Sequence, residues 1–269
     1  MSKNHLLNNR TKLAYVISLT LLSIVSYLLP VQAQVAQPTK NPKANTQNRL
    51  EKLNFPRNGA PTGRRQGGAR RNGCPNLNQP VTALVPGEGT VNESTSFLSL
   101  TVSDYPTFWV YLPDLPMKER SGEFIFQDER GKNIYRTSLT LPEKSGVIGI
   151  SLPQNTQYAL KQDNKYQWYF KVYCGNPENT SDYYYVKAWV QKVALTPNLE
   201  SQLKAAKPKE YTAYAVNQIW QDALTNLADM RRTNSGSSTL ARDWNDLLKA
   251  VGLEEFAGAP IVEHYASER

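Results

Sequence analysis

From Val81 to Val193 apolar side chains recur at alternate positions, and turn-forming residues interrupt them at intervals of about eight to twelve. This period constrains the fold most, because successive strand residues point to opposite faces and a sheet is what buries every second one. In the clearest segment Tyr166, Trp168, Phe170 and Val172 share one face, while Gln167, Tyr169, Lys171 and Tyr173 share the other. Phe108, Val110 and Leu112 repeat the scheme, as do Phe124 and Phe126, then Ile148, Ile150 and Leu152, then Tyr184, Val186, Ala188 and Val190. About seven or eight antiparallel strands are expected, which fits a two-sheet β-sandwich of immunoglobulin-like architecture. Trp109 lies between the two cysteines, as a core Trp of that fold would. However, Val172 stands two residues before Cys174, where the tyrosine corner needs Tyr, so the likeness is one of architecture.

After Val193 the period changes to 3.6. Thr196 is placed to cap a helix and Pro197 to occupy its first position. Val216, Ile219, Trp220, Ala223, Leu227 and Met230 form one apolar stripe. Leu240, Trp244, Leu247, Leu248 and Val251 form a second after the cap at Ser237-Ser238-Thr239. The fold class expected is α+β by segments, a sandwich over 74–194 followed by a helical hairpin over 195–269 that packs on it. Trp220 and Trp244, at helical spacing, read as core rather than as a ligand box.

The N-terminal part sets the compartment. Lys3, Arg10 and Lys12 precede an apolar run from Leu13 to Leu29, and Val31-Gln32-Ala33 offers a small-x-small cleavage site, so residues 1–33 read as an export signal. An uncleaved anchor is the alternative, since the run sits at the lower edge of the roughly 17–25 residues that span a bilayer. Cys74 and Cys174 are the two cysteines of the chain, and in an oxidising compartment they are expected to pair.

The formal charge of +8 divides unevenly. Residues 1–73 hold twelve Lys and Arg against Glu51 alone, and the remaining nineteen basic residues face twenty-two acidic ones, so the folded part is slightly acidic. Residues 34–73, rich in Gln, Asn, Pro, Gly and Arg, show no period that buries a face and are expected to be a disordered basic tail. Its Arg64, Arg65, Arg70 and Arg71, set among glycines, resemble segments that hold single-stranded nucleic acid. Export argues against nucleic acid. The arginines are placed instead for anionic lipid or an acidic envelope polymer, unless the tail is only a solvated spacer.

Familiar catalytic chemistry finds little material. His5 leaves with the signal and His264 stands near the C-terminus, so neither a His/Cys zinc site nor a Ser-His-Asp triad assembles readily. Ser201-Gln202-Leu203-Lys204 matches Ser-x-x-Lys without its partner motifs, and Gly87-Glu88-Gly89 lacks the third glycine and following helix of a dinucleotide loop. No cofactor and no metal is expected. Asp104, Glu123, Asp128 and Glu129 at strand ends leave room for a carboxylate-dependent hydrolase of envelope polysaccharide, although four acids among many read more simply as a solvated rim.

The chain resembles a family of exported cyanobacterial proteins known only as domain of unknown function 928. The resemblance runs from about Arg64 to Val262 and rests on Gly73-Cys74-Pro75, Leu84-Val85-Pro86, Pro106-Thr107-Phe108-Trp109, the segment from Glu123 to Glu129, Gly149-Ile150-Ser151-Leu152-Pro153, Tyr166-Gln167-Trp168, and Ile219-Trp220-Gln221-Asp222-Ala223-Leu224. It implies a cell-envelope protein with a β domain and a helical C-terminal part, and it carries no activity or catalytic residue.

The leading expectation for function is a non-catalytic, extracytoplasmic binding or interaction module, taking an envelope glycan, an anionic lipid or another envelope protein. Tyr183, Tyr184 and Tyr185 are the candidate patch, since three consecutive tyrosines in a strand place at least one ring outward. That ring serves either a ligand or the packing of the helices. The hydrolase and a passive envelope scaffold are the alternatives.

Overall fold

The computed structural model describes residues 50, 53, 55, 63–70, 74–87, 98–118, 120–175 and 181–266. The expected export signal, the tail up to residue 49, and Arg71 lie outside these. Ten strands are described: β1 (Arg64–Arg70), β2 (Thr82–Ala83), β3 (Leu98–Thr101), β4 (Thr107–Leu112), β5 (Ser121–Asp128), β6 (Asn133–Thr140), β7 (Gly146–Ser151), β8 (Lys165–Tyr173), β9 (Tyr183–Lys192) and β10 (Ile261–Tyr265). Four helices lie between the last two strands: α1 (Pro197–Ala206), α2 (Glu210–Val216), α3 (Trp220–Thr233) and α4 (Ser238–Lys249).

The strands form a curled, mixed sheet in the order β10-β7-β4-β2-β1-β9-β8-β5-β6, with β3 beside β9. An α+β fold rich in sheet therefore stands. In place of the two separate antiparallel sheets expected, hydrogen bonding runs through β1. The pairings β3 with β9 and β10 with β7 are parallel. β1 joins the halves by pairing Gln66 with Thr82 on one side and Gly68 to Arg70 with Tyr185 to Tyr183 on the other. The crease needs a glycine: a Cβ on Gly67 would come within 3.1 Å of the Val81 carbonyl oxygen and 3.2 Å of its Cβ.

The two half-sheets bury their inner faces against each other. Phe108, Val110, Ile148 and Ile150 from one half meet Phe124, Phe126, Trp168, Phe170, Val186 and Ala188 from the other. The ring of Phe108 lies 5.1 Å from those of both Phe124 and Trp168. β4 is buried on both faces, because Trp109 and Tyr111 turn away from this core into a second one built by the helices. There Trp220, Ala223, Leu227, Trp244 and Leu248 pack with Leu84, Trp109 and Val147. At about 1.5–3 kcal/mol per fully buried large apolar side chain, the two cores account for most of the drive to fold.

Several local readings hold. Thr196 caps α1 with Pro197 following, Ser237 caps α4, and Cys74 and Cys174 are disulfide-bonded with their Cα atoms 5.2 Å apart. Closing a loop of that length contributes up to about 4.7 kcal/mol on the chain-entropy model. Others change. The expected hairpin is a set of four helices, and Val216 belongs to a separate short one, because the chain turns at Asn217-Gln218-Ile219 with Gln218 at φ 63°. Residues 64–70 of the expected unstructured tail are β1, and Leu50 and Phe55 bury in the helical core. His264, near the C-terminus in sequence, sits in β10 opposite Gly149 of β7.

Arg65 explains how β1 is locked. Its Nη1 donates to the carbonyls of Gly87 and Val251, each at 2.8 Å, so a strand residue clamps the carbonyl end of the last helical segment, where a cation is favoured. Arg65→Ala should cost about 1.5–3 kcal/mol in denaturant unfolding, as for buried hydrogen bonds to a charged group. Arg64→Ala, one residue away on the opposite face, should stay within about 0.5 kcal/mol of wild type. Equal losses at the two positions would contradict the clamp.

Candidate functional site

Residues directly opposite in adjacent strands share a face, with Cβ atoms about 4.5–5.5 Å apart, so the register of β6, β5, β8, β9 and β1 gives the face turned away from the core. One cross-strand row reads Arg136, Ile125, Tyr169, Lys187, Arg64. The next reads Ser138, Glu123, Lys171, Tyr185, Gly68, and a third runs from Tyr173 through Tyr183 to Arg70. The contacts of the helices with the sheet fall instead on β3 and β4. Two sets of residues singled out in the sequence thus converge. Tyr183, Tyr185, Arg64 and Arg70 take positions on this one face.

Their neighbours in sequence do not. Tyr184 turns into the core and donates its hydroxyl to the Pro75 carbonyl, and Arg65 is the structural clamp described above. Arg71 lies outside the described residues.

Aromatic rings floor the face and cations lie over them. Lys171 Nζ stands 4.9 Å from the centroid of Tyr183, Arg64 5.1 Å from Tyr185, and Lys187 5.3 Å from Tyr169. Tyr183 meets Tyr173 and Tyr185 edge-on at 6.1 and 6.0 Å. Such stacking holds a long cationic side chain flat at about 0.5–1 kcal/mol for an exposed pair, so the charges are arrayed rather than waving. By register the outward positions with described side chains carry Arg64, Arg136, Lys165, Lys171 and Lys187 against a single carboxylate, Glu123.

That carboxylate is spoken for. Arg136 Nε and Lys171 Nζ donate to it, the latter at 3.2 Å, and the Tyr173 hydroxyl donates at 3.0 Å. Burial alone would raise its pKa, but these three hydrogen bonds outweigh burial and hold Glu123 below the usual carboxylate range. Tyr173 is pushed up to about 12 by burial and then by Glu123 itself. A carboxyl held ionised in this way does not serve as a general acid near neutral pH.

The other sequence candidates are scattered. Asp128 accepts from the backbone N–H groups of Arg130 and Lys132 and so closes the β5–β6 turn, while Asp104 pairs with Lys192. His264 Nε2 lies 2.8 Å from Ser151 Oγ, but its Nδ1 lies 2.8 Å from an Arg232 nitrogen that can only donate. A triad needs Nδ1–H facing a carboxylate, so this histidine holds the wrong tautomer to take the Ser151 proton. Trp220 and Trp244 are fully buried. Among the described residues no three His, Cys, Asp or Glu side chains gather as metal ligands, and no helix is long and apolar enough to cross a membrane.

Lys171, Lys187, Arg136 and Tyr169 were not singled out from sequence, although alternation assigned Lys171 and Tyr169 to one face of their strand. What alternation does not give is the register that sets Arg136, Tyr169, Lys187 and Arg64 in one row. A family model described as Domain of Unknown Function (DUF928) matches residues 65–261, a span that runs from the second residue of β1 to the first of β10. No curated protein matches the chain.

Glu123→Gln tests the electrostatics. A carboxyl with a lowered pKa stabilises the fold above its ordinary value, 4.5, and loses that contribution as pH falls through the lowered native value. The stability difference between wild type and Glu123→Gln, followed by urea unfolding, should be full at pH 7 and shrink steadily below about pH 4.5. A difference independent of pH would show that the ion-pair cluster contributes nothing.

Proposed function

The chain belongs to the DUF928 family, and we propose that it is an exported, non-catalytic binding module of the cell envelope whose outer sheet face takes an acidic polysaccharide. One observation carries this reading: five outward cations, Arg64, Arg136, Lys165, Lys171 and Lys187, three of them stacked on tyrosines, share their strands' outward positions with a single carboxylate already neutralised by its own neighbours. Polyanion recognition calls for cations held at fixed spacing on an extended surface, which spends little conformational entropy on binding. Tyrosine adds area at low entropic cost and packs against the apolar face of a sugar ring.

Charge and aromatic rings on a sheet also suit single-stranded nucleic acid. The signal-like residues 1–33 and the Cys74–Cys174 disulfide favour an extracytoplasmic partner, and with it an acidic envelope glycan. The resemblance to exported cyanobacterial proteins favours the same compartment.

Binding of the purified protein to polygalacturonate, with dextran as the neutral comparison and single-stranded DNA as the competing polyanion, tests the reading. Affinity for polygalacturonate should fall steeply with salt. It should also fall about fivefold for each of Lys171→Ala, Lys187→Ala and Arg136→Ala, at about 1 kcal/mol per cation near an anionic surface. Equal affinity for dextran, or indifference to all three substitutions, would overturn it. Tighter binding of DNA than of the acidic glycan at every salt concentration would move the partner class to nucleic acid.

A further inference from the structure

Where α3 and the β3–β4 connection meet the segment after β7 and the end of β10 lies a polar cleft. Two hollows, of about 720 and 210 Å³, share Tyr105, Thr107 and Asp229 in their walls. The larger is within the usual range of ligand pockets, about 300–1,000 Å³. From these features we propose that the cleft is a second binding site, for a neutral sugar, independent of the sheet face.

The walls are fixed by contacts that span distant parts of the chain. Asp222, in the first turn of α3, accepts from the backbone N–H of Val102 at 3.1 Å, and Trp109 Nε1 donates to Thr225 at 2.9 Å. Gln221 is held between the Ser99 hydroxyl and the Thr107 carbonyl. The helix face and the turn therefore stand as a preformed pair rather than as two mobile loops.

The hydrogen-bond polarity of one wall can be followed through four residues. Arg232 has only donors, so His264 Nδ1 accepts from it and the ring proton sits on Nε2. Burial holds His264 below the usual imidazole range, in keeping with the neutral ring. Nε2–H then donates to Ser151 Oγ at 2.8 Å, and Ser151 Oγ lies 2.7 Å from Thr107 Oγ1. Two hydroxyls share one mutual bond, so one hydroxyl proton is left for the cleft. Asp229, with its side chain 49 % exposed and a 3.4 Å contact to the same Arg232 nitrogen that meets His264, supplies a charged acceptor to the hollow.

A donor hydroxyl, a carboxylate acceptor, and the rings of Tyr105 and Tyr158 in one hollow are what a polyhydroxylated ring requires. The carboxylate takes sugar hydroxyls as donors, the threonine or serine proton meets a sugar oxygen, and a tyrosine covers the C–H face. Asp229 in the larger hollow disfavours an anionic ligand here, in contrast to the basic sheet face, so the two sites select a neutral and an anionic ligand respectively.

Saturation-transfer NMR with glucose, N-acetylglucosamine and cellobiose as probes, and glucuronate as the anionic comparison, tests the assignment on the full chain. At least one neutral probe should bind. Asp229→Asn, at an exposed position that leaves the fold intact, should weaken that binding by about tenfold or more, as loss of a charged hydrogen-bond partner does. Lys171→Ala/Lys187→Ala should leave it unchanged while weakening polygalacturonate, so failure of the cleft and failure of the sheet face give different results. No transfer to any neutral probe at millimolar concentration, or binding unaltered by both Asp229→Asn and Tyr158→Ala, would overturn the proposal.

Discussion

A β-sheet has two faces, and each is buried, covered or left to solvent. In this chain the inner faces of the two half-sheets bury each other, and the helices cover the outer face of the half that contains β4 and β7 and lie against β3 beside β9. The fourth face, on β6, β5, β8, β9 and β1, is paved with tyrosines and cations in place of an apolar surface. β1 makes this arrangement possible, because it hydrogen-bonds to both halves across a crease where Gly67 admits close approach. Arg65 then ties the same strand to the helical end. The free face and the two cores therefore depend on one short, basic strand.

The charges on that face are placed in part by the fold's own stability. Glu123 sits nearly buried among Arg136, Lys171 and Tyr173, and so fixes two of the cations it partly neutralises. A cation that is stacked on a ring or bonded to a carboxylate has already lost its side-chain entropy, and a polyanion that displaces only water from it binds at lower cost. The cleft beside α3 is organised on another principle, with buried hydrogen bonds between distant segments holding its walls. One half of the sheet thus offers an extended basic surface, and the edge near α3 a recessed, hydroxyl-rich one with Asp229 in its wall.

Much of this was legible in the sequence. Period-2 alternation located β4, β5, β7, β8 and β9 and named the core residues Phe108, Phe124, Trp168, Phe170 and Val186, and the compartment argument paired Cys74 with Cys174. Caps at Thr196 and Ser237 were readable because capping is local. β1 was not, since Arg64 to Arg70 carries almost no apolar residue and is a strand only because β2 and β9 offer partners on both sides. β10 was missed for the same reason: Ile261 to Tyr265 is short and gains its pairing from β7, far away in sequence. The tyrosine and arginine candidates were half right. Alternation sends Tyr183 and Tyr185 outward and Tyr184 inward, but their meeting with Arg64, Lys171 and Lys187 follows from register, which no single segment carries.

The central claim is that the outer sheet face is the working surface and that its cations and rings act as one array. Side-chain NMR resolves this residue by residue, through assigned tyrosine ring and lysine ε-methylene signals recorded during titration with polygalacturonate. The shifts should cluster on Tyr169, Lys171, Tyr185 and Lys187, vanish at high salt, and leave Tyr105 and Tyr158 unmoved. Shifts confined to the cleft beside α3, or spread evenly over the surface lysines, would contradict it.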